Sequence, residues 1–171
     1  MNVTTLKKIG HSIAVMVEDY SGGPSREMLI DPAVYAYLRA TAKGRGVERQ
    51  YHAHLPNQQR PARVDFRVKS PNPVLIEFAV RLAKGGGQLC GSQNVTELRK
   101  LTRFSNVAAK LRALLLIDLA KVPYDLAFLK STYDQIHAGR GRFARHPVKV
   151  IYAHAKKTFA FKWNPYRVDL A

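Results

Sequence analysis

The chain has 171 residues, with 28 Lys and Arg against 12 Asp and Glu, a formal net charge of +16 at neutral pH and 46% hydrophobic residues. That length suits one domain, and the apolar fraction is enough to fill a core, which excludes a disordered chain. So much positive charge repels itself in a compact fold, so the excess implies a polyanionic partner, nucleic acid before an acidic membrane surface.

The single cysteine, Cys90, excludes an internal disulfide framework and a cysteine-rich zinc site, and it suits a reducing cytoplasm. The first twenty residues lack the apolar run of a signal peptide. The longest aliphatic run, Ala113 to Ile117, stops at Asp118, so no membrane span is expected.

In chain order, Leu6, Ile9, Ile13, Met16 and Val17 recur at helical spacing, with Lys7, Lys8 and His11 off that stripe. This predicts an amphipathic helix over 3–19. Asp31-Pro32 is a helix start signal, and the segment from Pro32 runs helical to Gly44. The period then falls to two. VERQYHAHL, ARVDFRVKS and PVLIEFAVR predict three strands of a meander, the third apolar on both faces except at Glu77. Val64, Phe66 and Val68 fall on one face of the second strand, with Asp65, Arg67 and Lys69 on the other.

Asn94 and Glu97 mark the start of a helix to about Phe104, with Val95, Leu98 and Leu101 inward and Arg99, Lys100 and Arg103 outward. LRALLLIDLA predicts a buried strand. PYDLAFLKSTYDQIHAG predicts a helix with Leu126, Leu129, Tyr133 and Ile136 inward, and VKVIYAHAKKTFAFKW a hairpin. The order ααβββαβαββ predicts an α/β fold, a mixed sheet flanked by helices with one parallel crossover. It forms a single domain: N-terminal helices over 1–44, a core over 45–119, and a basic helix and hairpin over 120–171.

From Gln135 to Val168 there are eight Lys and Arg, three His and no acid. Arg140, Arg142, Arg145, Lys156 and Lys157 there, together with Arg67, Lys84 and Lys100, are the expected nucleic-acid contacts. Between Glu48 and Glu97 the only acids are Asp65 and Glu77, both on strands. Such carboxylates need a cation or hydrogen-bond donors. On adjacent strands they can share one hard divalent ion, Mg²⁺ or Mn²⁺, able to activate water and offset charge on a phosphodiester. The competing reading is an ion-pair network with Arg63, Arg67 or Arg81.

ARVDFRV, then after eleven residues intervening from Asp65 the Glu77-Phe78-Ala79 run, inside an αβββαβ order over roughly residues 30–119, resembles the PD-(D/E)XK nuclease superfamily. The resemblance implies a restriction-endonuclease-like core with an extra helix and a C-terminal hairpin. It also implies Mg²⁺-dependent hydrolysis of nucleic acid, DNA more than RNA, with Asp65 and Glu77 on the metal. Glu18 resembles the additional helix carboxylate that some members bring to it. The chain departs from the family's pattern at Val64, where Pro is common, and at Ala79, where the family has its Lys.

Lys69, four residues after Asp65 on the same strand face, is the preferred substitute for that Lys, because an arginine cannot give up its proton near neutral pH. Arg81, four after Glu77, could orient water or bind phosphate, and Lys84, Lys100 and the Gln93 amide are further candidates. The expected function is therefore a cytoplasmic metal-dependent nuclease, with a homodimer as an open expectation. A catalytically inactive nuclease-like fold that binds nucleic acid or a protein partner is the alternative. His52 and His54, which share a strand face, offer a different metal pair of the HUH-endonuclease type, with Tyr124 or Tyr133 as nucleophile. Gly85-Gly86-Gly87 lacks the Lys-Ser/Thr of a P-loop.

Overall fold

A computed structural model of the chain describes residues 1–18, 26–43, 46–53, 62–69, 73–83, 89–103, 108–136 and 146–165. Four α-helices, α1 (Val3–Glu18), α2 (Arg26–Thr41), α3 (Val95–Arg103) and α4 (Leu126–Asp134), flank one six-stranded sheet. Its strands are β1 (Val47–Ala53), β2 (Ala62–Val68), β3 (Val74–Arg81), β4 (Leu111–Asp118), β5 (Val148–His154) and β6 (Thr158–Trp163). Spatial order equals chain order, β1 to β6. The β1–β2, β2–β3 and β5–β6 pairs are antiparallel, whereas β3–β4 and β4–β5 are parallel. The chain thus makes two helical crossovers, through α3 and α4, where the sequence pattern had suggested one. The second arises because the basic helix leads into a strand that pairs with β4.

Alternation along the central strands sorts their side chains into two cores. Ile76, Leu115 and Ile151 join Leu6, Ile13, Ile30 and Leu38 under α1 and α2. Leu75, Leu114, Leu116 and Val150 join Leu98, Leu101, Leu129 and Tyr133 under α3 and α4. Both faces are covered, so β3 and β4 read as continuous apolar runs rather than alternating ones. Gly10 lets α1 lie directly on the sheet: a Cβ there would come within 2.6 Å of the Ala153 side chain and 3.0 Å of Leu115.

Three local expectations are corrected. α2 begins at Arg26, so Pro32 lies inside it and Asp31 is not its cap; Asp31 instead pairs with Arg49. Burial of Ile30, Val34 and Leu38 along one stripe extends the helix past the proline. Leu126 is exposed, because α4 presents Leu129 and Tyr133 to the core. Tyr152 and His154, in the first arm of the expected hairpin, are buried rather than at its surface, since β5 runs between β4 and β6.

Candidate metal and phosphodiester site

Pairing between β2 and β3 runs from Val68–Val74 to Phe66–Ile76 and then stops. Beyond that point β2 pairs with β1 and β3 with β4, so the sheet forks. Continuing the register would set Asp65 opposite Glu77. On the other side of Asp65, between the pairs Arg49–Phe66 and Tyr51–Val64, stands Gln50 with a left-handed backbone, φ 48°. A non-glycine residue in that region marks local distortion. The face alternation breaks here: Phe66 and Val68 pack under α1 and α2, but Val64 packs under α3 and α4, not with them as period two predicts.

The fork is held by the Asp65 carboxylate. Its Oδ2 accepts the Phe78 backbone N–H at 3.1 Å, and its Oδ1 accepts from Gln50 Nε2 at 3.3 Å. Glu77 is buried, and Lys100 reaches it from α3, with Nζ 3.4 Å from Oε2. Glu77 Oε1 is buried with no hydrogen-bond partner. Burial, and next the adjacent Asp65 carboxylate, push the Glu77 carboxyl up to about 9, with Lys100 acting in the opposite direction. Asp65, Glu77 and Lys100 therefore form one cluster at the point where the sheet opens.

The arginine network that competed with this arrangement does not form around the pair. Among the described residues no arginine is ion-paired with Asp65 or Glu77. Arg67 instead contacts Glu48 at 3.5 Å and lies over the Tyr51 ring at 4.4 Å. Arg81 makes a two-pronged pair with Asp118, at 2.7 Å from Nε and 2.6 Å from Nη2, and also donates to the Val122 carbonyl.

The catalytic cations expected from sequence are thus held elsewhere. Lys69, four residues along β2 from Asp65 and hence roughly 13 Å away on an extended strand, pairs with Glu48 at 2.8 Å. Arg81 belongs to the Asp118 pair. Lys100, on the outer flank of the α3 stripe, is the cation that arrives. The sequence signal for it was weak, because a lysine beside inward Leu98 and Leu101 looks like a solvated helix edge. Gln50 carried no sequence signal, since its part depends on hairpin register. Lys84, Arg140, Arg142, Arg145, His54 and Gly85 to Gly87 lie outside the described residues, as does the side chain of Glu18. His52 is exposed, while Tyr133 is buried and donates to the Leu89 carbonyl at 2.9 Å.

The donor set suits a hard cation. Two carboxylates in contact, one with an orphaned buried oxygen, destabilise each other as anions, and a divalent ion between them would relieve both. No cluster of three or more His, Cys, Asp or Glu gathers among the described residues. Mg²⁺ commonly takes one or two carboxylates and fills its other positions with water and substrate phosphate.

A second polar cluster lies at the carboxyl ends of β3, β4 and β5. Asp118, wholly buried, accepts from Arg81, from the Ala120 backbone N–H at 3.0 Å and from the Tyr152 hydroxyl. The Tyr152 hydroxyl accepts the Tyr124 N–H at 2.8 Å, and Arg81 stacks 3.7 Å over the Tyr124 ring. None of the buried side-chain N or O atoms of this cluster lacks a hydrogen-bond partner, which makes it a structural lock. No family model matches the chain, and neither a curated protein nor a solved structure gives a match.

Proposed function

We propose that the chain is a metal-dependent nuclease that hydrolyses phosphodiester bonds of nucleic acid, DNA in the first instance, within the cytoplasm. The observation that carries this reading is the convergence of Asp65, Glu77 and Lys100 at the sheet fork, with Glu77 Oε1 buried and unpartnered. A restriction-endonuclease-like core accommodates the same placement, two acids on adjacent strands beside the first crossover helix. Here the lysine missing at Ala79 is supplied from α3.

Asp65 and Glu77 would hold Mg²⁺ or Mn²⁺. Such an ion, when bound, supplies charge stabilisation for the scissile phosphate and a lowered pKa for the attacking water. Asp65 is fixed by the Phe78 N–H and the Gln50 amide, so its orientation is set before substrate arrives. Lys100, whose side chain is 32% exposed, has one side on Glu77 and another open to solvent. Its ammonium can orient the attacking water and offset negative charge gathering on the phosphate oxygens. In the reaction water adds to phosphorus and gives up a proton to solvent, the bond from phosphorus to one sugar oxygen breaks, and the leaving alkoxide takes up a proton.

Nicking of supercoiled plasmid in Mg²⁺ or Mn²⁺ tests the proposal, comparing the wild-type chain with Asp65→Asn and Glu77→Gln. Loss of nicking in both variants with DNA binding retained supports it. A wild-type protein that binds DNA but cuts neither DNA nor RNA with any divalent ion would leave the binding-module reading in its place.

A further inference from the structure

A cavity of about 400 Å³ opens between α1 and the β5–β6 turn, lined by Thr4, Lys7, Lys8, His11, Lys156, Lys157 and Thr158. Positions 4, 7, 8 and 11 share one face of α1 because they are three or four residues apart. That face is opposite the stripe of Leu6, Ile9, Ile13 and Val17 which buries the helix. Packing at Gly10 brings the lysine face beside the hairpin, whose turn adds two more lysines from far along the chain, Lys156 and Lys157. No sequence window joins these groups; the sheet does.

The pocket is built for negative charge. Four ammonium groups, an imidazole and two threonine hydroxyls line it, and among the described residues no carboxylate does. Among the described residues no acid pairs with Lys7, Lys8 or Lys156. Lys157 meets Asp125 at 3.2 Å, but that carboxylate is largely exposed, so water screens the pair. The His11 Nδ1 lies 3.1 Å from the His154 carbonyl, which can only accept, so Nδ1 carries a hydrogen and the ring is oriented. His154 is itself fixed, with Nε2 2.8 Å from the Ala120 carbonyl and Nδ1 accepting the Lys156 N–H at 2.9 Å. The imidazole thus stands on a rigid support.

We propose that this pocket is a second phosphate-binding site, occupied by the sugar–phosphate backbone of a polynucleotide. Lysine supplies point charge without the planar fork that arginine offers. Among the described residues no Phe, Tyr or Trp ring and no side-chain amide lines the cavity to read a base, so recognition rests on the phosphates, in the manner of sequence-independent backbone binding. A site for a single nucleotide would need such a base-reading group.

The pocket is distinct from the Asp65–Glu77 cluster. Glu77 pairs in register with Leu114, and Leu114 with Val150, so Lys156 at the turn lies roughly 20 Å away along β5 at extended-strand rise. It also lies on the α1 side of the sheet, whereas Lys100 approaches Glu77 from α3. The inference rests on nucleic acid as the partner and does not depend on hydrolysis.

Fluorescence anisotropy with labelled single- and double-stranded DNA and RNA, in EDTA so that nothing is cut, provides the test. Lys7→Gln/Lys8→Gln and Lys156→Gln/Lys157→Gln should each weaken binding about tenfold or more and lower the log–log salt slope by about 2. Lys130→Gln, a lysine on α4 outside both clusters, should bind close to wild type. Protection of Lys7, Lys8, Lys156 and Lys157 from amine acylation by bound oligonucleotide, read by mass spectrometry on the wild-type chain, tests the same site without a variant. Unchanged affinity in both lysine pairs, or no protection, overturns the proposal. Micromolar binding of tripolyphosphate or ATP at these lysines without oligonucleotide binding overturns it in favour of a small polyphosphate. Oligonucleotide binding that depends on the four lysines, in a protein that cuts nothing with any divalent ion, would uphold this site while removing the nuclease reading.

Discussion

Glu77 is a buried carboxyl strongly perturbed by its surroundings. Without a divalent ion its carboxyl, near 4.5 when unfolded, rises to about 9 in the fold because it is buried beside Asp65. Between those values the unfolded chain releases a proton that the native state keeps, so stability falls as pH rises from about 5 to 9. Urea unfolding in EDTA should therefore give a lower midpoint at pH 8.5 than at pH 6 in the wild type, and Glu77→Gln should flatten that difference. A midpoint that rises with pH would contradict the assigned burial. Lys100 makes a complementary prediction: Lys100→Met should cut nicking by about a hundredfold or more, within the range of a lost acid–base or charge-stabilising group. Oligonucleotide affinity should change far less. Equal loss of both would make Lys100 a binding residue only.

At the scale of elements, the site depends on strands that stop pairing. The β2–β3 ladder ends at Phe66–Ile76, and the Asp65 side chain takes the Phe78 N–H that a continuing ladder would have taken. One fork thus frees a carboxylate and aims it. Period-two alternation made Asp65 and Glu77 legible as isolated strand acids, but the same rule pointed to Lys69 as their partner. In the fold Lys69 pairs with Glu48 farther along the sheet, while the crossover helix α3 brings Lys100 to Glu77. The carboxyl ends of β3 and β4 are locked by Arg81 and Asp118, both largely buried. Removing one partner of such a pair strands a charge, so Asp118→Ala should destabilise by about 3–5 kcal/mol. Arg81→Met/Asp118→Leu should recover much of that in urea unfolding, and a double variant as unstable as the single would show that the surrounding packing was the cause.

Over the whole molecule, charge is distributed rather than confined to the acid-free segment from Gln135 to Val168. Lys7 and Lys8, distant in sequence, join Lys156 and Lys157 around one cavity. A chain of +16 that binds nucleic acid through its phosphates should lose affinity steeply with salt. Titrations between 50 and 200 mM salt should show this for both wild type and Asp65→Asn/Glu77→Gln, and salt-insensitive binding would count against the nucleic-acid reading altogether. No helix among the described residues is long and apolar enough to cross a membrane.

The sequence by itself determined the element order, the mixed sheet between helices, the buried third and fourth strands and the isolation of Asp65 and Glu77. These follow from hydrophobic period and composition, which are local properties of the chain. Tertiary structure decided which cation meets the acids, how Gln50 and the fork hold Asp65, that Arg81 is committed to Asp118, and that two lysine pairs at opposite ends of the chain line one pocket. Each of these depends on register and on packing across the sheet, where contacts are made between residues far apart in sequence.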